Sequence, residues 1–288
     1  MAESTSRAQD HPQRSPCSLA EPKIQVPTGV IDTHAHLTSD PLPERLEDVL
    51  DAARRAGVRG ILSVGIDATT SLHCVQLAQR YAMVRAAVGI HPNDCCRATD
   101  SDWDTIERLT GSAGVVAVGE TGLDRYWDDC PWDIQVESFR RHIDLSSRTG
   151  LPLVIHTRDC AEETLEVLAS AAAGDRLYGV MHSYTGPWEV AAGCLELGLY
   201  IGFAGMLTFK NAATLREVAR QVPLDRVLVE TDAPYLTPHP LRGQRPNHPA
   251  LVVHTLACLA DIHGLSIEEM AARTTHNAEA LFGSWPPS

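Results

Sequence analysis

Histidines and carboxylates stand at the ends of short apolar runs, and such runs recur along the chain. The first is Val30-Ile31-Asp32-Thr33-His34-Ala35-His36. It is followed by Val115-Val116-Ala117-Val118-Gly119-Glu120, Leu153-Val154-Ile155-His156, Gly179-Val180-Met181-His182 and Val227-Leu228-Val229-Glu230-Thr231-Asp232. Each apolar run reads as a buried strand, with its polar residue where the strand finishes. Parallel strands that end together bring those side chains to one place. Four histidines (His34, His36, His156, His182) and two carboxylates (Glu120, Asp232) gathered there make a site for divalent cations, with donors enough for two. Such a centre points to hydrolysis.

His34 and His36 lie two apart on a strand, so both rings face the same side. An H-x-H pair alone fits hydrogen-bonded histidines at a strand end equally well. Burying four further polar residues at other strand ends with no ligand to satisfy them would be costly. Imidazole plus carboxylate without thiolate suits Mg, Mn, Zn, Co or Ni and does not choose among them. A carboxylate bridges two ions through its two oxygens, and Glu120 is the best placed to do so. A lysine-derived bridge on the fourth strand is excluded, because lysine occurs only at Lys23 and Lys210.

These residues need a frame of parallel strands. Strands are expected at about 29–36, 60–65, 84–89, 115–119, 152–156, 179–182, 199–203 and 226–231. Between them, Leu46, Val49, Leu50 and Ala53 recur at helical spacing in a segment that ends on Gly57. Leu72, Val75, Leu77 and Ala78 repeat the pattern, and segments 134–149, 161–173, 187–198 and 211–221 follow it. Eightfold alternation predicts an α/β fold closed as a (β/α)8 (TIM) barrel. No G-x-G-x-x-G follows the first strand, which removes the main support for an open doubly wound sheet. The long irregular stretches 89–100, 121–132 and 232–247 follow strands three, four and eight, on the face where barrel enzymes keep their active sites.

The chain of 288 residues is 44% hydrophobic and 21% charged, which predicts a packed core. Its formal net charge of −13 opposes general attraction to nucleic acid, although bound divalent ions would make one pocket locally positive. Eight cysteines without a C-x-x-C pair read as free thiols in a reducing, cytoplasmic setting. Residues 1–28 are rich in Ser, Pro, Gln, Glu and Arg and lack the apolar core of a secretory signal; they are expected to form a disordered tail. The hydrolase domain is expected over 29–283, with 284–288 as a C-terminal tail. No apolar run reaches the roughly 20 residues of a membrane span, and no obligate protein partner is evident.

Ile31-Asp32-Thr33-His34-Ala35-His36-Leu37, Val88-Gly89-Ile90-His91-Pro92-Asn93, Gly119-Glu120-Thr121-Gly122-Leu123-Asp124 and Ile155-His156-Thr157-Arg158-Asp159 resemble motifs of the TatD family of metal-dependent hydrolases. So do Met181-His182-Ser183-Tyr184-Thr185-Gly186 and Glu230-Thr231-Asp232-Ala233-Pro234-Tyr235-Leu236, all in family order. The resemblance covers about 29–283. It implies the (β/α)8 fold, two divalent metals and deoxyribonuclease or 3′-exonuclease activity on phosphodiesters. It also implies that His34 and His36 hold one ion, that Glu120 bridges, that His156 and His182 hold the other, and that Asp232 binds near the nucleophilic water. Two segments depart from the family pattern. His182-Ser183-Tyr184-Thr185-Gly186 stands where H-C-F-S-G is usual. His248 replaces a carboxylate in the strand-eight loop, which bears on substrate contacts there.

The expected reaction is attack of a metal-activated water on a phosphodiester of single-stranded DNA, with Asp232 taking the proton. His91, Arg158 and Arg242 are candidate substrate contacts. Each has a plainer alternative: a loop hydrogen bond for His91, an ion pair with Asp159 for Arg158, and a similar local role for Arg242. Asp124 either orients a ligand or caps a turn. Trp103, Trp127, Trp132 and Trp188 read as packing residues, with Tyr126-Trp127 equally able to stack a base. Hydrolysis of a small ester, lactone or amide by the same metals is the rival reading; a metal-binding scaffold without catalysis is the second.

Overall fold

The computed structural model describes residues 19–26 and 29–285. Eight strands hydrogen-bond in chain order: β1 (Val30–Ala35), β2 (Val58–Val64), β3 (Val84–Val88), β4 (Val115–Asp124), β5 (Leu153–Arg158), β6 (Gly179–Met181), β7 (Tyr200–Phe203) and β8 (Val227–Val229). All seven successive pairings are parallel. The ring closes just past β8, where Asp232 donates its backbone N–H to His34 O at 2.9 Å and His36 donates to Ala233 O at 2.7 Å. The expected barrel is therefore present, with its strands finishing at one mouth.

Helices α1 (Leu46–Ala56), α2 (Ala68–Arg80), α3 (Asp100–Leu109), α4 (Trp132–Thr149), α5 (Ala161–Ala172), α6 (Trp188–Glu196), α7 (Ala213–Gln221), α8 (Val252–His263) and α9 (Ile267–Phe282) cover the outside. Asp67, Thr99 and Ser266 start α2, α3 and α9 with reciprocal capping boxes, satisfying backbone N–H groups that the helix itself leaves unpaired. Strand alternation sorts the core into two shells. Ile31, Leu62, Ala87, Ala117, Val154, Val180 and Leu228 fill the barrel interior. Their neighbours in sequence, such as Val30, Ile61, Ala86, Val118 and Ile155, face the helices.

Strand limits other than those of β4 fall within two residues of expectation, and three differences bear on the site or the core. β4 runs to Asp124 rather than 119. Residues 1–18, 27 and 28 of the expected tail lie outside the described residues, but 19–26 pack against the barrel. Val26 is fully buried and donates to Ala56 O at 3.1 Å, while Leu19 and Ile24 pack on the same core. At the other end, Trp285 lies beyond the expected domain limit of 283 yet is buried, closing the bottom of the barrel against Phe282. A Cβ on Gly60 would sit 2.7 Å from its ring, so the strand must be bare there. Residues 286–288 are not among those described.

Candidate metal centre and active-site cleft

The floor of the mouth is built by strand ends. β1 carries His34, and His36 follows at its end; both are buried. β4 reaches the axis because Gly119, at φ 146°, has no side chain; a Cβ there would meet Val154 O at 2.5 Å. Glu120 then projects among the histidines. β5 supplies His156, and the residue after β6 is His182. Asp232 follows β8 at φ 55°, in the left-handed region. Asp159, Ser183 and Leu236 also have positive φ at this mouth, at 55°, 46° and 54°. Strained backbone is thus concentrated where the functional side chains must be aimed.

Two buried carboxylates absent from the expected site hold this frame. Asp32 accepts from Thr231 N at 2.9 Å and from Thr231 Oγ1 at 2.6 Å, stitching β1 to the loop that carries Asp232. Burial, against these hydrogen bonds, pushes its pKa up to about 8. Glu230 accepts from Ser183 N and from Thr33 Oγ1, and its Oε1 lies 3.6 Å from His182 Nδ1. Asp124 does both things considered for it. Its Oδ2 accepts from His156 Nε2 at 2.9 Å, and its Oδ1 accepts from Tyr126 N at 2.8 Å and Trp127 N at 3.0 Å.

The six expected ligands meet in one cluster with two halves. In the first, Nε2 of His34 and of His36 lie 3.2 Å apart, and each is 3.4 Å from Glu120 Oε2. Asp232 Oδ1 is 3.8 Å from the former and 3.4 Å from the latter. Four donors around a tetrahedral ion with bonds of about 2.1 Å are separated by about 3.4 Å, so this set fits a divalent cation. In the second half, Glu120 Oε1 lies 3.0 Å from His156 Nδ1 and 2.8 Å from His182 Nε2, which are 3.4 Å from each other. The two oxygens of Glu120 therefore face different halves, as bridging requires.

The chemistry of the donors agrees. His156 gives its Nε2–H to Asp124, which leaves the Nδ1 lone pair against a carboxylate oxygen. His36 likewise turns Nδ1 to Val64 O at 3.2 Å and keeps Nε2 for the cluster. Acceptors facing acceptors need either protons or cations between them. The titration behaviour reflects this demand. Burial would raise the Glu120 pKa, but the charge of His182, the adjoining imidazoles and the His156 hydrogen bond hold it well below the usual range. Burial would lower His182, but the Glu120 charge and hydrogen bond push it well above. Asp232 is also lowered, with burial outweighed by the His36 hydrogen bond and nearby imidazoles. A cation would meet the same need that protons meet here.

His91 also faces Glu120 Oε1, at 3.6 Å, but differs from the ligands. Its Nδ1 accepts from Asn93 N at 3.1 Å, so its neutral ring carries the proton on Nε2 and points an N–H inward. Burial lowers its pKa to about 3, which keeps it neutral. Its position is set by His142 of α4, which accepts from Ile90 N at 3.1 Å and was not signalled by any strand-end pattern.

Above this floor opens a cleft of about 770 Å³, lined among others by His91, Trp127, Arg158, Tyr235, Arg242 and Arg245. The three expected substrate contacts thus share one cleft. Arg158 does not pair with Asp159; its guanidinium lies 3.6 Å from the centre of the Tyr126 ring. Arg242 lies 4.0 Å over Phe209. Arg245 joins them, a residue that sequence reasoning did not single out. His248 does not face the cleft: it is buried, and its Nε2 donates to Ala20 O at 2.8 Å. In this chain the side chain at 248 anchors residues 19–26. Trp103 is buried and Trp132 and Trp188 pack on the core, whereas Trp127 is 51% exposed at the cleft.

Residues 31–283 match the family described as TatD related DNase. The chain is 41% identical over 253 residues to the uncharacterized metal-dependent hydrolase YabD of Bacillus subtilis, covering 88% of this chain and 98% of that protein. It is 34% identical over 259 residues to the 3′-5′ ssDNA/RNA exonuclease TatD of Citrobacter koseri, covering 88% and 99%. Among solved structures, the TatD homolog YJJV of Escherichia coli superposes with a TM-score of 0.83 at 30% identity, over 88% of this chain and 98% of that one. The chain belongs to the TatD family of metal-dependent hydrolases.

Proposed function

We propose that the protein hydrolyses phosphodiester bonds of single-stranded DNA, removing nucleotides from the 3′ end. The observation that carries this reading is where positive charge sits. In a chain of net charge −13, Arg158, Arg242 and Arg245 surround the cleft above the histidine–carboxylate floor. Among the described residues none of the three forms an ion pair with a carboxylate, unlike Arg54, Arg59, Arg97 or Arg220 elsewhere. Free guanidinium groups around an acidic floor suit an anion that reaches the floor. The exonuclease name of the Citrobacter koseri relative supports the same substrate.

His34, His36 and Asp232, with one oxygen of Glu120, would hold one ion; His156, His182 and the other oxygen would hold a second. Bound there, divalent ions supply positive charge that favours hydroxide near neutral pH and offsets charge building on phosphate. The chain's own groups do the rest. Asp232 is a carboxylate with 15% of its side chain open to the cleft, so it accepts the proton of the attacking water. His91 directs Nε2–H at a non-bridging oxygen. Arg158, at the end of β5, and Arg242, from the loop after β8, hold the phosphate from two sides. Arms from separate elements around a narrow floor suit a strand end better than a duplex interior.

The test uses pure protein stripped of metal and reloaded with Mg, Mn, Zn or Co, on end-labelled single strands. Stepwise shortening from the 3′ end is expected, with Asp232→Asn slower by about 10²–10⁴-fold. No shortening with any metal, alongside turnover of an uncharged ester, would favour the small-ester reading instead.

A further inference from the structure

Exposed aromatic surface is concentrated beside the cleft. Tyr126, Trp127 and Tyr235 are 53%, 51% and 55% exposed, and the loop after β4 supplies two of them. Tyr126 already has a partner, because the Arg158 guanidinium covers its ring at 3.6 Å. Trp127 stands perpendicular to Tyr126, at 87° with ring centres 4.9 Å apart. Its ring centre is 5.8 Å from the same guanidinium. A flat, half-exposed indole and an unneutralised cation thus stand side by side on the wall of the cleft.

The pair is tied to the reaction centre. Asp124 fixes Trp127 through its backbone N–H with Oδ1 and holds His156 with Oδ2. Gln135 of α4 braces Asp124 in turn, accepting from its N–H at 2.9 Å and donating to its carbonyl at 3.1 Å. A packing role would bury the indole, as it does for Trp103 and Trp285, which are 7% and 3% exposed. Trp127 is instead half exposed on the lining of the cleft.

Building on the proposed phosphodiesterase reading, we infer that Trp127 stacks a nucleobase of the single strand whose phosphate is held by Arg158. Stacking needs an unpaired base and is tolerant of its identity, because every base has a π-face. The site therefore favours single strands over duplex and reads the presence of a base rather than its type.

The test walks one abasic (tetrahydrofuran) nucleotide through the last three positions of an end-labelled single strand. The strands are given to metal-loaded wild type, Trp127→Ala and Trp127→Phe. Wild type is expected to show a KM raised on the order of 5- to 150-fold at one position, with kcat little changed. Trp127→Ala should treat intact and abasic strands alike, and Trp127→Phe should restore part of the difference. Dissociation constants from fluorescence anisotropy, measured in an Asp232→Asn background to slow turnover, should follow the same order. Strands cleaved by wild type with no penalty at any position, or Trp127→Ala retaining the full penalty, would overturn the stacking role alone. No cleavage of any strand would overturn the phosphodiesterase reading, and the stacking role with it.

Discussion

Replacing Asp124 by asparagine keeps the shape of the side chain and changes what His156 faces. The amide oxygen can still accept from Tyr126 and Trp127, the bonds now made by Oδ1 at 2.8 and 3.0 Å. The amide nitrogen then stands where Oδ2 accepts from His156 Nε2 at 2.9 Å, so two donors oppose each other. His156 escapes by moving its proton to Nδ1. That places an N–H against Glu120 Oε1, 3.0 Å away, and removes the lone pair offered to a cation. The loop thus stays in place while the second half of the centre loses a ligand. Losses of this type reach about 10- to 100-fold in metal affinity, or about 1.4–2.7 kcal/mol. Calorimetric titration of chelated protein with Mn or Zn should show one site weakened by that factor and the other nearly unchanged. Thermal unfolding in chelator serves as the check that the fold persists. Wild-type affinity at both sites would refute the argument that Asp124 sets the His156 tautomer.

Two further expectations concern stability. His142 and His248 are buried neutral, and burial lowers both to about 4. Because these folded values lie below the unfolded value of about 6.5, the unfolded chain binds more protons in that window. Their stabilisation is complete above about pH 6.5 and is lost as pH falls toward 4. Each accounts for about 2 kcal/mol by pH 5. Urea midpoints at pH 7 and 5 should show the fall, and His142→Gln should shrink it; an unchanged fall would contradict the assignment. Deleting residues through 26 removes buried Val26 and leaves the inward His248 N–H without Ala20 O. The loss should be on the order of 3–5 kcal/mol, read by chemical denaturation; an unchanged midpoint would show that this segment contributes nothing.

Much of the centre was legible because strand ends announce themselves. An apolar run that ends in His, Glu or Asp places that residue at the mouth of a barrel, and His34, His36, Glu120, His156, His182 and Asp232 do meet there. The supporting residues carry no such pattern. Asp32, Glu230 and Thr231 are polar residues buried within motifs, and their partners lie up to 199 positions away in sequence. β4 looked short because Gly119, Thr121 and Gly122 interrupt its apolar run. Gly122 is there for closeness, since a Cβ would meet His156 O at 2.0 Å. Residues 19–26 read as tail because composition averages hide three well-spaced apolar anchors, Leu19, Ile24 and Val26. Trp285 was hidden behind Gly283, which reads as a helix stop.

In the proposed centre two ions would share Glu120 between the His34–His36–Asp232 half and the His156–His182 half. Elemental analysis of protein reloaded with Mn or Zn and freed of excess metal tests it most directly. Two ions per chain are predicted, falling to about one in His156→Gln, His182→Gln double-variant protein that remains folded. A firm value of one in the wild type, or a double variant that still holds two, would contradict the bridged centre.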